Sequence, residues 1–222
     1  MVITIDGPAG AGKSSVAREL ARQLGFRFLD TGAMYRAVAF QALDRGMDWD
    51  DSAALGKLAA GLQLEFQEGR VLLEGKDVSQ AIRAPEVTDN IHHVADNLLV
   101  REALVLLQRQ LAQVGNVVTE GRDQGTVAFP AAECKFFLTA SPQERARRRS
   151  AQLQEQGIEA DHDAILEQLC ARDERDAARP VGAMQAAEDA VCVDTDRMDQ
   201  HQVVQQLAQL VREKTGQAES NE

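Results

Sequence analysis

The stretch Ile3-Thr4-Ile5-Asp6-Gly7-Pro8-Ala9-Gly10-Ala11-Gly12-Lys13-Ser14 decides the fold of this chain. It opens as a short apolar run of strand type, and its last eight residues satisfy the spacing G-x-x-x-x-G-K-[ST]. At average residue frequencies a match in 222 residues is about a 1% event, so a tight glycine turn is the weaker reading. The glycines let backbone N–H groups turn inward at the positive end of the next helix, where a β-phosphate is favoured. Lys13 then reaches the β- and γ-phosphates, the Ser14 hydroxyl ligates Mg2+, and Ser15 continues the cradle. The loop predicts a bound nucleoside triphosphate with Mg2+ and transfer of its terminal phosphoryl group.

Outward from this loop the chain alternates between β-type runs and helical patterns. Val2–Ile5, Phe26–Leu29, Val117–Thr119, Phe136–Thr139 and Val191–Val193 read as buried strands. Helices are expected near Lys13–Leu24, Ala33–Asp44, Leu99–Val114, Ser141–Gln156 and His201–Lys214. This order predicts an α/β fold, a five-stranded parallel sheet flanked by helices. About 85 residues separate the second and third strands, more than one crossover helix requires. Within them Leu62–Phe66 and Val71–Leu73 read as strands joined at Glu68-Gly69-Arg70, so residues 46–97 are expected to form an inserted subdomain. The core is then residues 1–45 and 98–222. A lid is expected around residues 145–160, as part of a helical hairpin. Ser141, Pro142 and Glu144 suggest a capping box, Gly157 a stop, and Asp161 a cap for a helix reaching Ala178. The tail ending Glu219-Ser220-Asn221-Glu222 is expected to fray.

A formal net charge of −11 argues against a nucleic-acid partner. No apolar run is long enough for a membrane span, and no leader pattern follows Met1, which points to the cytoplasm. Cys134, Cys170 and Cys192 lack metal-ligand spacing and read as buried apolar residues. No exposed apolar stripe stands out, so a monomer is expected.

Two further motifs follow strand ends, which in an open parallel sheet face the ligand crevice. In Asp30-Thr31-Gly32-Ala33-Met34-Tyr35-Arg36, Arg36 suits an acceptor phosphate; a helix cap with a surface arginine is the other reading. In Glu120-Gly121-Arg122-Asp123-Gln124-Gly125-Thr126, Arg122 can neutralise phosphate and Asp123 can accept from an exocyclic amine, against a plain surface turn. Arg172, Arg175 and Arg179 share a helix face by spacing, as do Arg145, Arg148 and Arg149. Surface ion pairing with Asp173, Glu174 and Asp176 would explain some of them. A phosphate acceptor needs no base, because its second pKa near 6 leaves it mostly dianionic at pH 7, whereas a hydroxyl acceptor needs a carboxylate. Asp30 and Asp123 keep that alternative open, and a low-turnover nucleotide switch is a third reading.

The three motifs in this order, with Val100-Arg101-Glu102-Ala103-Leu104 and Arg172-Asp173-Glu174-Arg175-Asp176, resemble bacterial cytidylate kinase, a P-loop nucleoside monophosphate kinase family, over nearly the whole chain. The resemblance implies transfer of the ATP γ-phosphoryl group to CMP or dCMP. It implies that Thr31, Arg36, Arg101 and Arg122 surround the acceptor nucleotide and that Asp123 meets the cytosine amino edge. Arg172 and Asp176 belong to the acceptor side, Arg179 meets the phosphates, and Arg148 is a lid arginine on the ATP side. The chain departs from the family pattern at His92, where a serine often contacts cytosine, at Gln124 for methionine, and at Val181-Gly182-Ala183-Met184 for a Pro-Leu pair.

Overall fold

The computed structural model describes residues 1–67, 69–155, 157, 159 and 161–216. Glu68, parts of the expected lid loop and the C-terminal tail lie outside the described residues. The chain divides into two compact units, Leu29–Val114 and a second made of Met1–Phe28 with Gly115–Glu222.

The larger unit is organised by strand β1 (Val2–Asp6), which pairs in parallel with β6 (Val117–Glu120) and β7 (Cys134–Thr139). β7 pairs in parallel with β8 (Val191–Asp194). With β2 (Arg27–Asp30) the sheet has five strands in the order β2-β6-β1-β7-β8. Ile3 and Ile5 are fully buried with Val118, Phe136 and Leu138 against Val16 and Leu20 of α1 (Lys13–Leu24) and Val203, Leu207 and Val211 of α8 (Gln200–Thr215). Thr4, Asp6 and Thr119 point to the opposite face and are also buried, so this sheet is covered on both sides. Because β1, β6, β7 and β8 run parallel, the segments after their carboxyl ends share one edge of the sheet. Those segments are Gly7–Gly12, Gly121–Asp123, Ala140–Ser141 and Thr195–Asp196.

Beyond β7, α6 (Pro142–Glu155) packs on α7 (His162–Ala178). The capping box is only half formed. Ser141 Oγ accepts from the Glu144 N–H at 3.3 Å, but the Ser141 N–H donates to Asp196 Oδ1 at 2.6 Å. Glu144 instead holds Arg147 and Arg148, since two guanidinium groups outcompete one backbone amide for its carboxylate.

The smaller unit comprises α2 (Thr31–Asp44), α3 (Ser52–Ala60), α4 (Pro85–Ala95), α5 (Leu98–Ala112) and a short antiparallel sheet of β3 (Leu64–Gln67), β4 (Arg70–Leu73) and β5 (Lys76–Asp77). The third strand is too short to show a periodicity in sequence. Thr31 and Gly32 already belong to α2 rather than to a bend, because Asp30 caps the helix through the Ala33 N–H at 2.9 Å. Leu98, Leu99 and Leu106 of α5 are exposed, an apolar face that the sequence reading did not anticipate. Cys192 is exposed and Cys170 intermediate, so of the three cysteines only Cys134 is buried. No helix among the described residues is long and apolar enough to cross a membrane.

Candidate active site

In the larger unit the loop Gly7–Gly12 leads straight into α1, whose N-terminus has no side-chain cap and no acidic residue in its first turn. Its N–H groups are therefore left to a ligand rather than to the protein. Gly7 adopts a φ of 141°, and a Cβ there would overlap the Leu138 carbonyl oxygen, so only glycine fits where the loop leaves the sheet.

Lys13 is buried, with its Nζ donating to the Pro8 carbonyl at 2.7 Å. Burial, then the nearby Arg122 charge, push its pKa from 10.5 down to about 7, against a smaller upward pull from Glu120. A buried cation pressed by other cations is stabilised by incoming negative charge. Ser14 Oγ donates to Glu120 Oε1 at 3.1 Å, which gives a hydroxyl beside a carboxylate at the start of α1.

Several charges meet at Asp176, two residues before the end of α7. Its Oδ2 accepts from Arg122 Nε at 2.8 Å and lies 4.0 Å from Arg172 Nε, while its Oδ1 is 2.5 Å from Arg179 Nη2. Burial alone would raise this carboxyl; Arg122, Arg179 and Arg172 outweigh it and hold the pKa below the ordinary carboxylate value. Three guanidinium groups around one carboxylate leave a net positive cluster, suited to a polyanion. Arg175 does not join it and is exposed, so the shared face read from spacing holds for only part of the set. Arg179 lies past the last helical residue with ψ at 134°, so its direction is set by the cap and not by helical phase.

Asp6 and Asp123 occupy the next segment. The two Asp6 carboxylate oxygens accept from the Gln124 N–H at 2.9 Å and the Gly125 N–H at 2.8 Å. These donors open a π-type turn, Gln124–Ala128, that fixes the buried Asp123 just before it. Gln124 is itself held by Thr119 Oγ1, which donates to its Oε1 at 2.9 Å. Burial raises Asp6 to about 6 despite both N–H bonds. The folded pKa therefore lies above the unfolded value of 3.8. Its contribution to stability is present below pH 3.8 and lost as pH rises through about 6. Asp6→Asn lacks that loss. Between pH 4 and 6 the stability of Asp6→Asn relative to the wild type is expected to rise by about 2–3 kcal/mol in urea titrations. A pH-independent difference would contradict the assignment.

Arg148 donates to Thr195 Oγ1 at 3.1 Å and to the Thr195 carbonyl at 2.5 Å, which places it at the turn after β8. Arg149 donates to Gln152 of its own helix, and Arg145 turns to the phosphate loop, so the three point to different partners. Ser15 is exposed, and its carbonyl accepts from Gln200.

In the smaller unit, Arg36 Nη1 donates to Thr88 Oγ1 at 2.8 Å. Arg101 is buried, donates to the Ala95 carbonyl at 3.1 Å and lies 5.8 Å from the Tyr35 ring centroid. Thr31 is buried in the first turn of α2. Asp30 accepts both the Ala33 N–H and Arg83 Nη2, at 2.9 and 3.3 Å. His92 lies one turn beyond Thr88 on α4, with its Nδ1 2.8 Å from the Asp89 carbonyl. Its ring lies 4.0 Å from that of His93, which stacks on Trp49 at 5.0 Å.

The family model of cytidylate kinase matches residues 3–213. The chain belongs to the cytidylate kinase family. It is 51% identical over 213 residues to the cytidylate kinase of Rhodopirellula baltica, covering 96% of this chain and 93% of that protein. It is 47% identical to the cytidylate kinase of Mycobacterium leprae, covering 97% of each chain. A crystal structure of an uncharacterized protein from Eubacterium ventriosum, 10% identical, superimposes with a TM-score of 0.55 over 95% of this chain and 98% of that one, a likeness of fold alone. The cytidylate kinase fold thus carries the parallel sheet and phosphate loop expected from sequence. Three groups of this site were not legible in the sequence: Asp6, Glu120 and Asp173. An acidic residue closing an apolar strand directly before Gly7 was the available signal for the first.

Proposed function

We infer that this chain transfers the γ-phosphoryl group of ATP to CMP or dCMP, yielding ADP and CDP or dCDP. Family membership supports the nucleotide class. The observation that carries the chemistry is the arginine cluster on Asp176, combined with carboxylates that already serve as acceptors. Asp30 takes a helix-cap N–H and Arg83, Asp6 takes two backbone N–H groups, Glu120 takes Ser14, and Asp176 faces three arginines. A hydroxyl acceptor would need one of them, or Asp123, as a base, whereas the phosphate of CMP is already mostly deprotonated near pH 7.

In this reading Gly7, Pro8, Ala9, Gly10, Ala11, Gly12, Lys13, Ser14 and Ser15 hold the donor phosphates, with Arg148 on the ATP side. Thr31, Arg36, His92 and Arg101 serve the acceptor from residues 29–114, which include the inserted subdomain 46–97. Arg122, Asp123, Arg172 and Asp176 are also assigned to the acceptor. Lys13, Arg122, Arg172 and Arg179 stabilise the charge on the phosphoryl group in flight. The Ser14 hydroxyl beside the Glu120 carboxylate is an all-oxygen donor set that suits Mg2+, which when bound neutralises phosphate charge. Asp123 accepts from the cytosine amino group, and residues 145–160 act as the lid.

The test is an acceptor panel with ATP and Mg2+. CMP or dCMP is expected to exceed AMP, GMP and hydroxylated sugars and acids in kcat/KM by at least about tenfold. Equal turnover of all nucleotides, or a preference for a hydroxyl acceptor, would overturn the reading. Tight ATP binding with negligible transfer would favour a nucleotide switch instead.

A further inference from the structure

One residue of the phosphate loop is held at both of its peptide groups by side chains from the helical hairpin. The Ala9 N–H donates to Asp173 Oδ1 of α7 at 3.0 Å, and Arg145 Nη1 of α6 donates to the Ala9 carbonyl at 2.9 Å. Arg145 and Asp173 are themselves an ion pair, and Arg145 Nε donates to the Ala140 carbonyl at 3.0 Å. Both side chains are largely withdrawn from water, at 5% and 15% exposure. Ala9 opens the bend Pro8–Ala11, in which the Ala11 N–H approaches the Pro8 carbonyl at 3.4 Å and Gly10 takes a φ of 79°. A Cβ on Gly10 would lie 3.2 Å from Arg145 Cβ, so the arginine also packs closely along the bend.

The geometry resembles strand pairing, with a carboxylate and a guanidinium in place of a neighbouring peptide. Charge-assisted hydrogen bonds of this type are about twice as strong as neutral ones. Donors that recognise a phosphate work best when they are aimed before it arrives, because ordering a flexible loop on binding costs affinity. The loop Gly7–Gly12 consists of three glycines, two alanines and one proline, so apart from the buried Ala9 and Ala11 methyl groups it has little side-chain surface with which to hold that shape.

We propose that Arg145 and Asp173 are positioning residues of the phosphate loop, presetting its N–H groups for the donor triphosphate by holding Ala9 at both its N–H and its carbonyl. This inference rests on the donor side of the reading above. It also makes the hairpin α6–α7 a direct support of the loop, through two side chains remote from each other in sequence.

The experiment combines amide exchange at Ala9, in nucleotide-free 15N-labelled protein, with ATP affinity and steady-state kinetics. Asp173→Ala is expected to lower Ala9 protection at least about tenfold and to weaken ATP binding about 10–100-fold, with KM for CMP within about threefold of wild type. Asp173→Asn keeps an oxygen for the Ala9 N–H and is expected to retain most of the protection and affinity; it also serves if the alanine variant fails to fold. Arg145→Lys, which keeps the charge but not the fork, is expected to fall between them. The proposal is overturned if Asp173→Ala binds ATP within twofold of wild type, or if ATP affinity and KM for CMP weaken together, as loss of a mere staple between α6 and α7 would predict. A wild-type protein that bound no ATP would overturn the donor assignment itself, a failure recognisable before any substitution is made.

Discussion

Lys13→Met is expected to lower kcat by about 10³-fold while leaving the fold intact. Methionine fills nearly the same volume, so the loss reports the charge and not a cavity. The lysine is buried beside Arg122 and Arg172, and its Nζ donates to the Pro8 carbonyl, within its own loop. Its pKa near 7 means that ammonium and amine are both populated at neutral pH. A triphosphate arriving beside it restores the charged form, so ATP binding should take up a proton. Calorimetry in buffers of different ionisation enthalpy, without divalent cation, is expected to show uptake of close to about one proton at pH 8. Lys13→Met should show none. The direction follows from the shift: burial and like charge lowered this pKa, and a ligand anion reverses the second cause. A variant with wild-type kcat, or equal proton uptake in both proteins, would remove Lys13 from the transfer step.

What sequence could reveal divides along a physical line. The strand–loop–helix unit around Gly7–Ser14 was legible because its signals are local: glycines at set intervals, a lysine and a hydroxyl all lie within it. The five strands were legible for the same reason, each being an apolar run between turn signals. Asp6 and Glu120 were not, because each acquires its role from a partner more than 100 residues away: Gln124 and Gly125 for the first, Ser14 for the second. The arginine-rich helices show the limit of spacing. Arg145, Arg148 and Arg149 share a face by count, yet one reaches Ala9, one Thr195 and one Gln152. Long side chains on adjacent turns can turn to different partners, so helical phase predicts the side of departure and not the destination. Asp173 was hidden by its setting, one carboxylate in a run of alternating charges where Asp176 three residues later serves an unrelated cluster.

Arg122→Ala is expected to lower kcat/KM for CMP by about 10³-fold with KM for ATP changed only a few-fold. Arg122 Nε binds Asp176 and its Nη1 binds the Gly121 carbonyl at 3.2 Å, so the plane of the guanidinium is fixed on two sides. A fixed plane is what lets a guanidinium engage phosphate oxygens as a fork, and lysine has no such plane. Arg122→Lys should therefore recover less than about tenfold of the loss. Asp176 gives the complementary arm, because it accepts from Arg122 and is the common ion-pair partner of Arg122, Arg172 and Arg179. Without it three like charges face one another and swing apart, so Asp176→Ala should lose activity even though it removes an anion from a site built for anions. If the carboxylate acts by orienting Arg122, the double variant should be scarcely worse than Arg122→Ala alone, since neighbours in one network are not additive. If the two losses multiply instead, Asp176 acts on the acceptor by a route independent of Arg122. Thermal melts of all four variants separate these losses from unfolding, since cutting a buried ion pair also destabilises the fold. Selective loss of kcat/KM for CMP in folded protein is the signature expected of Arg122.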